Sequence, residues 1–128
     1  MPKSIWKLHL NATSERSAQK IVQKCIEVFG QSPIRLVIGK YNKGGYMATL
    51  ELAHDENYSW SELVLEIIAL GQRLGSGWSM YGNINDDPSV VLSKSMGNHI
   101  RVSGVDWADW LLLKDQLYRY DDGRGELC

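Results

Sequence analysis

From Ser4 to Asn11 the side chains alternate, with Trp6, Leu8 and Leu10 of one parity and Lys7 and His9 of the other. This is the period of a strand with one buried face. The period then lengthens. Thr13 or Ser14 can cap a helix with Glu15 in its first turn, and Ala18, Ile21, Val22, Cys25 and Phe29 recur at helical spacing as far as Gly30, which predicts an amphipathic helix with a left-handed stop. After Pro33, the runs Ile34 to Tyr41 and Tyr46 to Ala53 flank Asn42-Lys43-Gly44-Gly45, a hairpin loop with glycines free to take positive φ. Ser59-Trp60-Ser61-Glu62 has the form of a capping box, and Leu63, Ile67, Leu70, Gly71 and Leu74 follow at helical spacing before Gly75.

Trp78, Met80, Gly82 and Ile84 alternate with Ser79, Tyr81 and Asn83, which predicts a fourth strand ending in the turn Asn85-Asp86-Asp87-Pro88. Val90 to Ser93 and His99 to Ser103 read as a short hairpin about Met96-Gly97-Asn98. Residues 106–120 are open to two readings. A strand could continue to Leu113, but the stripe Trp110, Leu113, Leu117 and Tyr120, with Arg119 near the end and Gly123 as a stop, favours a helix. The order β-α-β-β-α-β contains the split βαβ unit, so the expected class is α+β: a ferredoxin-like antiparallel sheet with both helices on one face, plus a C-terminal hairpin and helix.

The chain has 128 residues, 44% hydrophobic and 23% charged, with only 3 Pro and 12 Gly. That composition excludes disordered and fibrous classes, and no linker divides the chain, so residues 1–128 are expected to form a single α+β domain. A formal net charge of −1 argues against the basic footprint of a protein that binds nucleic-acid backbones. The apolar stretch near the start is interrupted by Lys7 and His9, so neither a signal peptide nor a membrane span is expected, and the expected location is the cytoplasm. Cys25 and Cys128 are too few and too distant for a disulfide framework or a metal site, and read as reduced thiols.

Motifs for chemistry are missing. His9, His54 and His99 stand about 45 residues apart, and none has a second histidine at a spacing that presents two metal ligands from one element. His54-Asp55-Glu56 mixes ligand types, but adjacent residues leaving a strand point apart, so a hydrated loop is expected. Gly75-Ser76-Gly77 follows a helix and Lys43-Gly44-Gly45 joins two strands, whereas a phosphate cradle needs a helix N-terminus after its glycines. The pairs Asp55-Glu56, Asp86-Asp87 and Asp121-Asp122 are neighbours that diverge in space and cannot be assigned an acid and a base. No catalytic residue, metal or cofactor is therefore expected.

Surface character is the remaining signal. Residues 65–128 carry nine acidic against six basic side chains, and the late acids are interleaved with aromatics. Asp86, Asp87, Trp107, Asp109, Tyr118, Asp121 and Asp122 are accordingly the candidate contacts for a basic protein partner, attracted by complementary potential and retained by aromatic burial. A second candidate surface is Arg35, Tyr41 and Lys43, which share a parity opposite to Leu36 and Ile38 and would decorate a sheet face left open by the helices. Such faces bind bases in RNA-recognition domains, although Val37 and Gly39 interrupt this one.

With Gly77-Trp78-Ser79-Met80-Tyr81-Gly82-Asn83-Ile84 and Arg101-Val102-Ser103-Gly104-Val105-Asp106-Trp107, the chain resembles bacterial immunity proteins, particularly those of contact-dependent growth inhibition. The resemblance lies in size and general character as well as these two stretches, and it transfers no functional residue. It implies a non-enzymatic antitoxin-type inhibitor that binds a cognate toxin domain, often a nuclease, and blocks it by occlusion. The alternative is a ferredoxin-like module that binds RNA or a small ligand.

Overall fold

A computed structural model describes residues 2–81, 89–93 and 99–113. The first strand, β1 (Lys3–Leu10), buries Ser4, Trp6, Leu8 and Leu10 and leaves the odd positions half-buried or exposed, as its alternation predicts. Helix α1 (Glu15–Phe29) starts where the Ser14 hydroxyl accepts the Ser17 N–H and ends at Gly30, which is left-handed at φ 77°. Its buried stripe is Ala18, Val22, Cys25 and Phe29. Strands β2 (Arg35–Lys40) and β3 (Tyr46–Ala53) form the expected hairpin. Helix α2 (Trp60–Leu74) carries the complete capping box between Ser59 and Glu62, an arrangement whose loss costs about 1 kcal/mol.

Both helices cover the same face of the sheet. The Trp6 ring lies 4.8 Å from Phe29 of α1 and 6.1 Å from Trp110. A Cβ on Gly71 of α2 would sit 3.3 Å from Trp78 and 3.5 Å from Trp110. Glycine there lets the Trp78 indole lie against the helix, donating its N–H to the carbonyls of Gly71 and Gly75 at 3.0 Å each. These aromatics, with Leu8, Leu10, Leu50, Leu52, Ile67 and Leu112, form one core between the helices and the sheet.

The second half of the chain departs from expectation. After α2 come the short β4 (Gly75–Ser76) and β5 (Ser79–Tyr81), then β6 (Ser89–Ser93), β7 (His99–Ile100) and β8 (Val105–Leu113). The main sheet among the described residues has the order β2-β3-β1-β8-β6-β5, and every pairing in it is antiparallel. The α+β class holds, but the ferredoxin-like unit does not close as expected. Of the strand due from residues 78–84, the described residues form β5, at the far edge of the sheet, and β8 occupies the place beside β1.

The preference for a helix over 106–120 is therefore corrected as far as Leu113. Ala108, Trp110 and Leu112 are buried, while Trp107, Asp109 and Leu111 are half-buried. That period of two fits a strand paired with β1 on one side and β6 on the other. The competing stripe ran through Leu113, Leu117 and Tyr120, and residues 114–120 lie outside the described residues, as does the turn at 85–88. Nor do β6 and β7 form a hairpin with each other: β6 pairs with β5 and β8, while β7 pairs with β4 in a separate small sheet. No helix among the described residues is long and apolar enough to cross a membrane.

Cys25 is wholly buried, and desolvation pushes its thiol up to about 12. Native-state alkylation should leave Cys25 unmodified, and unfolding in guanidinium should expose it. Rapid labelling of Cys25 in the folded protein, located by peptide mass spectrometry, would contradict this packing.

Candidate functional site

Because the even positions of β1 point into the core, its odd positions line the other face of the sheet, which neither helix covers. The register sets Lys7 between Thr49 and Asp109, and His9 between Met47 and Trp107. Between His9 and Leu10 the pairing with β8 slips: His9 is opposite Trp107 but Leu10 is opposite Val105, so Asp106 is the extra residue of a bulge. A bulge turns its strand locally and re-aims side chains. Here it leaves two consecutive residues, Asp106 and Trp107, both half-exposed.

The Asp106 carboxylate lies 3.9 Å from His9 Nδ1. The other ring nitrogen, Nε2, is 2.8 Å from the Gly44 carbonyl, to which it donates. The β2–β3 loop is thereby fastened to β1. It is a tight turn in which the Gly44 N–H donates to the Tyr41 carbonyl and the Tyr41 N–H donates to the Gly45 carbonyl. Gly45 has φ 74°, and a Cβ there would lie 2.5 Å from the Leu10 carbonyl and 3.0 Å from His9 Nε2, so no other residue fits. With the loop held in place, the Tyr41 ring meets His9 edge to face at 5.5 Å. His9, Tyr41, Lys43, Met47 and Trp107 then surround a depression of about 460 Å³.

Two candidate sets argued separately from sequence thus meet on one surface: Trp107 from the late segment, and Tyr41 and Lys43 from the hairpin. Asp109 lies on the same face, opposite Lys7. Arg35 is on this face too, at the other end of β2, where its Nε is 3.9 Å from the Glu51 carboxylate. Asp86, Asp87, Tyr118, Asp121 and Asp122 lie outside the described residues. His9 and Met47 were not among the site candidates, and Asp106 entered only as one of the late acids interleaved with aromatics. The parity of His9 with Lys7 was visible in sequence, but its meeting with Trp107 depends on the β1–β8 pairing.

Asp109 is held at a cost. Burial raises its carboxyl above the ordinary aspartate range, against the pull of the Lys7 charge and a backbone hydrogen bond from Lys7. Burial thus opposes ionisation at this position, and perturbed groups of that kind gather at functional surfaces.

A second polar cluster lies under the helices and corrects the expected hydrated loop at His54. His54 is 6% exposed, and its Nε2 lies 2.7 Å from the hydroxyl of Ser4, which is fully buried. Its Nδ1 lies 2.7 Å from Glu66 Oε2, Trp6 Nε1 donates to Ser4 Oγ at 2.8 Å, and the Tyr58 hydroxyl donates to Glu66 Oε1 at 3.3 Å. The Glu66 charge, with this hydrogen bond, raises the Tyr58 phenol above its usual value. The order serine, histidine, carboxylate is that of a hydrolase triad. The serine is nevertheless fully buried, out of reach of a substrate, and its oxygen already accepts the Trp6 indole N–H. The chain of bonds fastens the start of β1 to α2 and satisfies buried polar atoms.

No group of three His, Cys, Asp or Glu residues among the described residues could hold a metal ion. Comparison with protein families, with curated proteins and with solved structures gives no match for this chain.

Two outcomes follow from these geometries. A carboxyl that is raised in the folded state destabilises the fold while ionised, and this cost fades as pH falls through its raised value. Asp109→Asn should therefore melt above the wild type at pH 7, with the gap closing towards the ordinary carboxylate range. A lower melting point at pH 7 would mean that the Lys7 interaction dominates. For the buried cluster, a fluorophosphonate probe should leave Ser4 unlabelled, and Ser4→Ala should cost about 1–3 kcal/mol of stability by orphaning its partners. Labelling of Ser4 would reinstate the triad as catalytic.

Proposed function

We propose that the protein is a cytoplasmic, immunity-type inhibitor, with no catalytic activity or cofactor of its own, which binds a cognate toxin domain of nuclease type and neutralises it by occlusion. The observation that carries this reading is the sheet face, covered by neither helix, on which Trp107, Tyr41 and Met47 stand half-exposed beside Lys43, His9, Asp106 and Asp109. Aromatic and thioether side chains offer contact area at low entropic cost, and charges at the rim steer encounter and fix orientation. A nuclease presents a basic surface to its substrate. Asp106 and Asp109 on this face suit such a surface, and Asp86, Asp87, Asp121 and Asp122 add acidic charge in sequence. Occlusion needs only tight contact over the toxin's substrate-binding surface.

A second reading is supported by the same depression. Tyr41 and Trp107 beside Lys43 are the side-chain types that stack bases and meet a phosphate, so a single-stranded nucleic acid is the alternative occupant.

The test assays nuclease-type toxin domains, beginning with any encoded by a neighbouring gene, for activity with and without the purified protein. Inhibition should saturate at one equivalent and the association rate should fall with added salt. Trp107→Ala should weaken binding by about 2 kcal/mol with its melting curve little changed, because the ring is half-exposed rather than core. Activity indifferent to the protein would refute the reading. Saturable binding of a labelled single-stranded RNA, lost in Tyr41→Ala, would favour the alternative.

A further inference from the structure

His9 touches both halves of the candidate site. Its Nε2 lies 2.8 Å from the Gly44 carbonyl in the β2–β3 loop, and its Nδ1 lies 3.9 Å from the Asp106 carboxylate on the bulge of β8. Both neighbours are acceptors, whereas a neutral imidazole has one N–H to give. The uncharged ring therefore serves Gly44 or Asp106, and cannot serve both. In the structure it serves Gly44, because 2.8 Å is a hydrogen bond and 3.9 Å is not. The Nδ1 lone pair is left facing a carboxylate.

The other arrangement is close by. A movement of about 1 Å would bring an Nδ1–H into bonding range of Asp106, where the negative acceptor strengthens the bond. The two ring nitrogens point in diverging directions, so approach to Asp106 draws Nε2 away from Gly44. The turn's own bonds, from the Gly44 N–H to Tyr41 and from the Tyr41 N–H to Gly45, survive this change. The loop would keep its shape but lose its tie to β1, and with it the edge-to-face contact of Tyr41 on His9. Charge decides between the two states. Around the ring stand Asp106 and Trp107 of β8, Tyr41 and Lys43 of the loop and Met47 of β3, and the next charges along β1 and β8 are Lys7 and Asp109, opposite each other. Asp106 is the charge in contact with the ring, and with side chains 24% and 36% exposed, His9 and Asp106 both exchange protons with solvent.

We propose that His9 is a latch on the β2–β3 loop, set by the charge on Asp106. With Nε2–H the loop is held and Tyr41 stands in the wall of the depression; with Nδ1–H drawn to the carboxylate the loop is released. A proton on the second nitrogen supplies a donor for each acceptor, and loss of the Asp106 charge removes the pull on Nδ1–H, so either change closes the latch. The consequence for binding rests on the partner reading above: a basic residue that neutralises Asp106 selects the closed loop and completes the surface on which it docks. The latch itself is a property of the free protein, so its failure and that of the partner reading are distinguishable.

The test uses the full chain labelled with nitrogen-15, at pH 8 and pH 5, the ends of the range in which imidazoles change charge. Long-range proton–nitrogen correlations show which His9 nitrogens are protonated, and order parameters with relaxation dispersion at the Gly44 and Gly45 amides report fast and slow release of the loop. At pH 8 both His9 tautomers and a mobile loop are expected. At pH 5 both nitrogens should be protonated and the loop ordered, with the released population reduced about threefold or more. Asp106→Asn offers Nδ1 a carboxamide donor in place of the charge, so it should show Nε2–H and an ordered loop already at pH 8. His9→Gln, which has no titrating ring, should abolish the pH dependence of the loop. A single Nε2–H tautomer at pH 8 with a loop equally ordered at both pH values would overturn the proposal. So would a mobile loop in Asp106→Asn at pH 8, or a pH dependence of the loop that survives in His9→Gln.

Discussion

The structure depends on the two-fold alternation of β1. Ser4, Trp6, Leu8 and Leu10 are fully buried, and because strand side chains alternate, this commits Lys3, Ile5, Lys7 and His9 to the opposite face. The buried row dictates what lies above it. Trp6 alone touches Phe29 of α1, Trp78 after α2 and Trp110 of β8, so it ties both helices and the neighbouring strand to one position. A slip of one residue would carry Trp6 to the open face and His9 into the core. The helix-covered layer and the open, polar face are thus two consequences of one register.

The open face then acquires its character from irregularities rather than from regular pairing. The bulge at Asp106 presents Asp106 and Trp107 together, and Gly45 allows the hairpin loop to close over His9. Neither device is needed to build the core, yet together they gather two aromatics, a histidine, a lysine and a carboxylate around one depression. Asp109 lies on the same face, where burial opposes ionisation of its carboxyl. Features that cost stability without serving packing are where function is best sought, and this is why the binding reading centres here.

The first half of the fold was legible in sequence because its signals are local. Ser14 and Gly30 bound α1, the Ser59–Glu62 box starts α2, and the two glycines after Lys43 mark a hairpin turn. The second half was less legible because its strands are chosen by partners distant in sequence. Residues 105–113 satisfy both a period of two and part of a helical stripe, and only pairing with β1 decides between them. The candidate site inherited this difficulty. Trp107, Tyr41 and Lys43 could each be named from composition and parity, but not their meeting. His54 was misplaced for the same reason, since its partners Ser4 and Glu66 come from β1 and α2.

The central claim is that β8 lies against β1 in the register that buries Trp110 and turns Trp107 outward. Nuclear magnetic resonance of the isotopically labelled protein in the presence of a soluble paramagnetic relaxation agent tests this most directly, because it reports the solvent exposure of each indole N–H separately. Cross-strand contacts should link Trp6 to Trp110 and Leu8 to Ala108, and the agent should broaden the Trp107 indole while sparing those of Trp6 and Trp110. Helical contacts between Asp106 and Trp110, or a protected Trp107 beside an exposed Trp110, would contradict the register and with it the surface on which the function is proposed.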